Sequence, residues 1–449
     1  MARITGVVYQ LKLASGTGYQ VVGSFSMMAK FFTNWQTCPT VERAITMTNK
    51  SDPRVTSEQM TFAQLHEFYI DQLFNQIMPF WMNHCIDVEY GGINNIVADD
   101  GTVLSTDKMM WSQGRALWTF SALYNYFEHD QKWLDVADGI ARLLIRYGRD
   151  EKGAWVFKLH QDGRVAEPYK SIYVDGFVIY GLTEYARATG NQEALDIAID
   201  SYQRTSPLLL DHANLPTQPH PIPDGFQAHG PIMLFSSIYH DLGLLADNQA
   251  ILDRALELAE TVMTQHVRIE EGILHEFVRP GGGLDDTDQC QTFIPGHTIE
   301  SMWFFERVYQ HHGRQDRIAQ TMKLIKSSLE KGWDEQYGGL FLACHTAGGT
   351  PQWHQPDAKS WWTASESFYA LLRAFEVTGE PWCLDWYGRM HDYAFSVFPN
   401  REHGEWFQTL ERQGNPVPNV IKGFNVKDPF HLPRALIYSI PTLSRLAAE

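Results

Sequence analysis

The sequence contains little cysteine, and this argues against the two classes of protein that depend on cysteine for their stability. Its 449 residues include five cysteines, without a Cys-x-x-Cys pair or regular spacing. Neither a disulfide framework nor a cysteine-ligated metal site is therefore indicated. Isolated cysteines of this kind are typical of reduced thiols, and we expect a cytoplasmic protein.

Positive charge is also scarce, and long apolar runs are missing. Lys and Arg number 36 against 53 Asp and Glu, which gives a net charge of −17. The basic residues are scattered, so neither nucleic acid nor an anionic membrane surface is the expected partner. Charged residues break every apolar stretch well short of the ~18 residues that a membrane-spanning helix needs. Aromatic residues are abundant at 13%, which favours a small-molecule site lined by rings, such as a sugar site.

Residues 1–46 differ in character from the rest of the chain. They are rich in Gly, Ser and Thr, lack helical periodicity, and do not have the pattern of a signal peptide. Met47 precedes a polar segment and an amphipathic run that begins near Ser57. We expect 1–46 to be a leader that is disordered or outside the natural start, and 47–449 to form a single catalytic domain.

A glycine-centred turn recurs between long helical runs and predicts the architecture. Its copies centre on Gly92, Gly153, Gly272, Gly339 and Gly404. The spacings are 61, 119, 67 and 65 residues, and the long one leaves room for a degenerate copy near Leu208–Gln227. A period of roughly 60–65 residues corresponds to a helical hairpin with its loops. Six hairpins predict an all-α (α/α)6 barrel with short β-hairpins in the loops, whereas an open helical solenoid usually has ~40-residue repeats.

Two histidines share the same local setting. His297 follows Pro295-Gly296 and His431 follows Pro429-Phe430, and each begins an apolar helical run. Because proline is tolerated in the first turn of a helix but not inside it, both imidazoles are predicted at helix N-termini. The helix dipole disfavours imidazolium there and favours a neutral base. In a closed barrel the loops at one end converge, so the two could meet as a proton-transfer pair.

Seven motifs resemble the N-acylglucosamine 2-epimerase superfamily, in order from about residue 60 to 440. They are Tyr90-Gly91-Gly92, Thr106–Arg115, Pro295–Glu300, Trp333–Phe341, Lys359–Glu366, His403–Phe407 and Phe430–Arg434. The resemblance implies an (α/α)6 barrel that opens a sugar ring and deprotonates C2 without a cofactor or metal. The superfamily also includes cellobiose 2-epimerases and mannose-type aldose–ketose isomerases, and it makes a homodimer plausible.

The resemblance implies catalytic roles for His297 and His431 and sugar-site roles for Arg115, Glu300 and Glu366. Glu300 lies one helical turn after His297, so it could orient that ring, bind a hydroxyl or pair with it at a metal. Arg115 is interpreted as a clamp on the sugar, with a buried structural ion pair as the alternative.

Further candidates are aromatic residues and a third histidine. Trp361 and Trp362 are adjacent and cannot share a helix face, so one is expected in the core and the other beneath the sugar. Tyr90 and Trp111 are weaker candidates. His229 is a substitute donor, because the stretch Pro231–Phe235 lacks the histidine that the isomerases and cellobiose epimerases carry there. His220 is interpreted as a solvated loop residue.

Four functions remain open on the sequence. The first is interconversion of N-acetylglucosamine and N-acetylmannosamine, and the second is isomerisation or 2-epimerisation of mannose, glucose or a related unacylated sugar. A glycoside hydrolase or lyase would need an acid pair drawn from Asp107, Asp334, Glu366 and Glu405. A non-catalytic sugar-binding role would leave both helix-start histidines idle.

Overall fold

The computed structural model describes residues 55–210 and 215–448. The leader predicted for 1–46 lies outside the described residues and stays a prediction. No helix within the described ranges is both long enough and apolar enough to cross a membrane.

Helices account for most of the described chain. In chain order they are α1 (Phe62–Asp71), a π-helical stretch (Gln72–Ile77), α2 (Met78–His84), α3 (Met110–Tyr126), α4 (Gln131–Tyr147), α5 (Ile172–Thr189), α6 (Gln192–Thr205), a 3-10 turn (Leu208–Leu210), α7 (His229–Leu245), α8 (Gln249–Gln265), a second 3-10 turn (Pro280–Gly282), α9 (Asp288–Gln291), α10 (Pro295–His311), α11 (Gln315–Gly332), α12 (Trp361–Thr378), α13 (Pro381–Val397) and α14 (His431–Ala448).

Six helices form an inner ring. In ring order α3, α5, α7, α10, α12 and α14 each pack against the next, and α14 packs against α3. The outer helices α4, α6, α8, α11 and α13 each pack on the inner helix that precedes them, and α1 packs on α14. The first outer helix therefore closes the ring with the last inner one, and the predicted (α/α)6 barrel is confirmed.

The burial pattern explains which helices lie inside. In α5, every residue from Val174 to Ala186 is buried, which is the pattern of a helix surrounded by protein on all sides. The outer helix α4 buries Trp133, Ala137, Ile140 and Leu144, which form one stripe at helical spacing. Apolar faces on the outer ring thus cover an inner ring whose helices are buried on all sides.

Short antiparallel strands connect the loops at one end of the barrel. They are β1 (Ile96–Val97), β2 (Val103–Ser105), β3 (Lys108–Met109), β4 (Lys158–Leu159), β5 (Val165–Glu167), β6 (Gln227–Ala228), β7 (Val267–Arg268), β8 (Ile273–Leu274), β9 (Phe277–Val278), β10 (Thr292–Phe293), β11 (Cys344–His345), β12 (Lys359–Ser360) and β13 (Thr409–Leu410). They pair as β1–β2, β3–β4–β5, β6–β9, β7–β8, β10–β11 and β12–β13. Because β3, β6, β10 and β12 each lead directly into an inner helix, these pairings hold the starts of those helices in place.

The recurring Tyr-Gly-Gly turns are structural. The Asp87 carboxylate accepts hydrogen bonds from the amides two and three residues later and from Lys108 Nζ at 2.6 Å. Asp334 repeats the pattern with Lys359 Nζ at 3.1 Å. Both lysines are fully buried and stand just before inner helices. Each turn is thus bonded to the strand that precedes an inner helix. The motif therefore recurs because it stabilises the fold.

We expect Gly114→Ala to destabilise the barrel. A Cβ at Gly114 would lie 2.6 Å from the carbonyl of Phe177, because α3 and α5 touch backbone to backbone there. The free energy of unfolding in urea should fall by about 1–3 kcal/mol. The control is Gly139→Ala on the outer helix α4, where a Cβ approaches Arg142 alone, at 4.0 Å. The control should be neutral or stabilising by up to ~1 kcal/mol, and equal losses in both variants would contradict the argument.

Candidate active site

The starts of the inner helices bring the predicted site residues together. His431 is the first residue of α14, Trp361 the first of α12 and His229 the first of α7. His297 is the third residue of α10, after Pro295. The prediction that His297 and His431 lie at helix N-termini is confirmed. Since each inner helix is followed by an outer helix that returns the chain, these N-termini lie at the same end of the ring.

Trp362 connects the two histidines. Its ring centroid lies 4.9 Å from that of His297 and 5.9 Å from that of His431. Trp361 is buried, with its centroid 6.2 Å from that of His431. The two histidines therefore share one pocket, and Trp362, which is partly exposed, is the ring available for stacking.

His431 is oriented by a buried carboxylate. Its Nδ1 lies 2.7 Å from Glu366 Oε1, and Glu366 also accepts hydrogen bonds from Arg434 Nη2 at 2.7 Å and Trp303 Nε1 at 3.1 Å. The other ring nitrogen of His431, Nε2, lies 3.3 Å from Arg115 Nη2. Burial, and then the charge of Arg115, hold the pKa of His431 well below its ordinary value. The ring is therefore neutral at pH 7, as predicted, with burial and Arg115 as the main causes.

His297 has a different carboxylate partner. Its Nδ1 lies 2.9 Å from Glu276 Oε2. Burial opposes ionisation of His297, but the charge and hydrogen bond of Glu276 outweigh it and raise its pKa above 6.5. Although burial acts against it, the neighbouring histidine charges lower the pKa of Glu276 to about 2. The helix dipole was expected to favour the neutral ring, whereas Glu276 favours the charged form of His297.

Glu300 faces the other histidine. We expected Glu300 to contact His297, which lies one helical turn earlier on α10. Instead, the Glu300 carboxylate bonds Arg434 and lies 3.8 Å from His431 Nδ1. Arg434 is 1% exposed and joins Glu300 to Glu366. The reason is electrostatic: a buried guanidinium needs carboxylate partners, and α14 supplies it between α10 and α12. Glu300 therefore belongs to the His431 side of the pocket.

Arg115 lies beneath the pocket among aromatic rings. Its Cζ lies 4.0 to 5.0 Å from three ring centroids, those of Phe177, Trp111 and Phe430. It donates to the carbonyl of Val426 at 3.2 Å, and Asp428 Oδ2 lies 3.7 Å away. Burial lowers its pKa to about 10, so it stays charged. Both interpretations of Arg115 therefore have support. It lies beside the buried carboxylate of Asp428, and it also contacts His431.

His229 lies next to the pocket, whereas Tyr90 lies away from it. His229 is fully buried, with Nδ1 3.7 Å from Glu276 Oε2 and its ring centroid 5.7 Å from that of His297. It therefore lies behind the His297 pair. Tyr90 is 45% exposed on the first turn, with Glu89, Asp162 and Asp87 as its charged neighbours, and the structure does not bring it to the pocket.

His220 is exposed on its loop, as expected, and its ring also borders the pocket. Its ring centroid is 6.5 Å from that of Trp111. Burial, and then the charge of His297, lower its pKa, and Glu276 and Arg115 also act on it. The interrupted repeat near Leu208–Gln227 was the available signal that this loop has a separate role. Glu276 and Arg434 are two further site residues that the sequence did not predict. Glu276 lies in no recognisable motif, and Arg434 is the last residue of the motif that contains His431.

Two groups of side chains in the described ranges are close enough to hold a metal ion. They are His229, Glu276 and His297, and Glu300, Glu366 and His431. In the second group both carboxylates bond Arg434, whose charge opposes a cation. In the first group Glu276 already accepts from His297. Both groups fit proton transfer, and the absence of a metal stays a prediction.

Comparison with known proteins identifies the family. The model of the family N-acylglucosamine 2-epimerase (GlcNAc 2-epimerase) matches residues 91–432. The chain belongs to the N-acylglucosamine 2-epimerase family. It is 29% identical over 387 residues to the N-acylglucosamine 2-epimerase of Mus musculus, an alignment covering 82% of this chain and 89% of the relative.

Solved structures of related sugar enzymes share the fold of this family member. The cellobiose 2-epimerase of Bacillus thermoamylovorans B4167 superposes with a TM-score of 0.75 at 22% identity, covering 84% of this chain and 99% of that one. A D-mannose isomerase superposes with a TM-score of 0.72 at 19% identity, covering 84% and 97%. These similarities agree with the (α/α)6 barrel described above.

Proposed function

We propose that the protein is a carbohydrate 2-epimerase that interconverts N-acetylglucosamine and N-acetylmannosamine. One observation carries the proposal: the rings of His297 and His431 lie 4.9 and 5.9 Å from the Trp362 ring in one pocket, and each histidine is oriented by its own buried carboxylate. The similarity to a mammalian N-acylglucosamine 2-epimerase supports the choice of sugar. We also expect a cytoplasmic enzyme that needs no cofactor, and a homodimer.

The reaction requires an open-chain sugar, because the C2 hydrogen becomes acidic only beside a carbonyl group. One histidine removes this proton and leaves an enolate, whose negative charge grows on the former aldehyde oxygen. Arg115, which reaches the same space as His431 Nε2, stabilises that charge. The other histidine then delivers a proton to the opposite face of C2, which inverts its configuration.

The opposed pKa shifts of the pair suit these two roles. The pKa of His431 is lowered by burial and by Arg115, so its Nε2 is ready to accept a proton. The pKa of His297 is raised because Glu276 outweighs burial, so it is ready to donate one. Two imidazoles whose pKa values are pushed apart form an acid and base couple at one pH. In the reverse reaction the roles exchange.

The carboxylates that a hydrolase would need are already paired. Asp334 bonds Lys359 and Arg412, Glu405 bonds Lys427, and Glu366 bonds Arg434. Asp107 lies on the rim, 3.0 Å from His160. A glycosidase instead places an acid and a second carboxyl group on either side of one bond, so the pocket favours proton transfer.

Deuterium incorporation tests the proposal directly. The purified protein is incubated in heavy water with N-acetylmannosamine, mannose or cellobiose, and C2 is followed by NMR. Deuterium at C2 with N-acetylglucosamine as product is the expected result. A ketose product would assign aldose–ketose isomerisation instead, and no exchange with any of the three sugars would refute the proton-transfer function.

We expect Glu276→Gln to shift the pH dependence of the reaction. The charge of Glu276 raises the pKa of His297, so its removal lowers that pKa. In the direction where His297 acts as base, the acidic limb of kcat should move to lower pH. In the other direction, where His297 acts as acid, the basic limb should also move to lower pH.

The matched control is Glu271→Gln, on the exposed turn five residues earlier. It should leave both limbs unchanged. An unshifted profile in Glu276→Gln, measured in both directions, would remove Glu276 from the mechanism.

A further inference from the structure

A proline-rich loop borders the pocket. Residues 215–226 contain four prolines, at 216, 219, 221 and 223, whose rings restrict the backbone. The loop is bound to the start of α5, because the amide of Ile172 donates to the carbonyl of Pro216 at 2.7 Å. Within it, the amide of His220 donates to the carbonyl of Thr217 at 2.8 Å. The imidazole of His220 is thus carried on a restricted backbone.

His220 faces the same space as the catalytic pair. It contacts Trp111, whose ring also lies 4.8 Å from Arg115 Cζ. The charges that act on it belong to His297, Glu276 and Arg115. Whereas His297 and His431 begin inner helices, His220 reaches the pocket from the loop above them. A sugar held on Trp362 would therefore meet a third imidazole.

This imidazole has no assigned partner. In contrast to His297 and His431, its ring makes no hydrogen bond to any residue in 55–210 or 215–448. Burial and the charge of His297 lower its pKa, so it is neutral at pH 7. A neutral imidazole offers one donor and one acceptor on different edges of the ring. Its acceptor nitrogen can therefore take a proton from one sugar oxygen and pass it to the neighbouring oxygen.

The proposed epimerisation has a step that needs such a group. A pyranose must open before C2 becomes acidic, and opening moves a proton from the O1 hydroxyl to the ring oxygen O5. His297 and His431 act at the two faces of C2 and are held there through Nδ1 by Glu276 and Glu366.

We propose that His220 is a third catalytic residue, which opens the sugar ring. This inference rests on the proposed function. One ring nitrogen of His220 accepts the O1 proton, and the imidazolium so formed gives that proton from the same nitrogen to O5. The C1–O5 bond breaks, its electrons stay on O5, and C1 becomes an aldehyde. His220 ends in its starting neutral form. Atoms and charge balance without an added reagent.

The test uses exchange between the two anomers of N-acetylmannosamine, which reports ring opening and closing and does not require C2 chemistry. Magnetisation-transfer NMR on the wild-type protein should show acceleration over buffer. His220→Asn should lose about 10²-fold of that acceleration, with an unchanged Tm. His220→Ala should regain part of it when free imidazole is added, which a purely structural role would not produce. The control is Gln218→Ala on the same loop, which should behave as wild type.

The outcomes separate this inference from the proposed epimerase function. If the wild type incorporates deuterium at C2 and His220→Asn accelerates anomer exchange as the wild type does, the assignment of His220 is overturned and the epimerase stands. If anomer exchange depends on His220 but no sugar gains deuterium at C2, the epimerase fails and the assignment stands. Absence of rescue by imidazole together with a lowered Tm in both His220 variants would also overturn the assignment.

Discussion

His297→Asn and His431→Asn are each expected to lower kcat for epimerisation by about 10³-fold, which is the usual contribution of a general acid or base. Asparagine keeps a polar side chain of similar size but cannot exchange a proton near pH 7. Each residue lies at the start of its helix, so the barrel should remain folded. Turnover is measured from both N-acetylmannosamine and N-acetylglucosamine, and folding is measured by circular dichroism.

The two variants should also differ in a way that tests the two-base mechanism. A variant that retains one histidine can still remove the C2 proton of the sugar whose proton faces that histidine. Each variant should therefore wash deuterium into one of the two sugars and not into the other, with opposite choices. His129→Asn, on an exposed turn, is the control and should behave as wild type. Substantial turnover in either site variant, or exchange of the same sugar by both, would contradict the assignment.

Arg434→Met is expected to lower the free energy of unfolding by about 3–5 kcal/mol, the usual cost of leaving a buried charge without its partner. Arg434 is 1% exposed and bonds both Glu300 and Glu366. Without it two carboxylates share a buried pocket beside His431. Activity should also fall, because Glu366 orients that histidine. Urea unfolding and kcat provide the two measurements.

Two further variants make the cause of this loss testable. Arg445→Met removes an arginine from the same helix, but Arg445 is 47% exposed where it pairs with Glu376, so less than ~1 kcal/mol should be lost. Adding Glu300→Gln and Glu366→Gln to Arg434→Met removes the unpaired charges and should restore part of the stability. Similar losses for Arg434→Met and Arg445→Met would show that the buried ion cluster contributes little.

Much of the fold could be predicted because its signals are local. The turn repeat predicted six hairpins, since a turn recurring every 60–65 residues leaves room for two helices between copies. The helix starts at His297 and His431 followed from proline chemistry within a few residues. Such patterns depend on neighbours in the chain, and the structure confirms both.

The partners of the two histidines were harder to predict, because they depend on packing between repeats. Glu300 is one turn from His297 on the same helix, yet it bonds Arg434 from a different helix. Glu276 lies 21 residues before His297 and meets it only because β6 and β9 pair next to the pocket. His220 is exposed on its loop as expected, but the sequence did not show that its ring would border the pocket. No spacing in the sequence reports these contacts.

The sequence by itself determined the barrel, the family resemblance and the two histidines, since each depends on periodicity or on a short motif. The tertiary structure alone decided which carboxylate bonds which histidine, that both histidine rings lie beside Trp362, and that their pKa values shift in opposite directions. The physical reason is that a buried charge responds to every group within a few ångströms. Closing the ring brings those groups together from parts of the chain that are 21 to 316 residues apart in sequence.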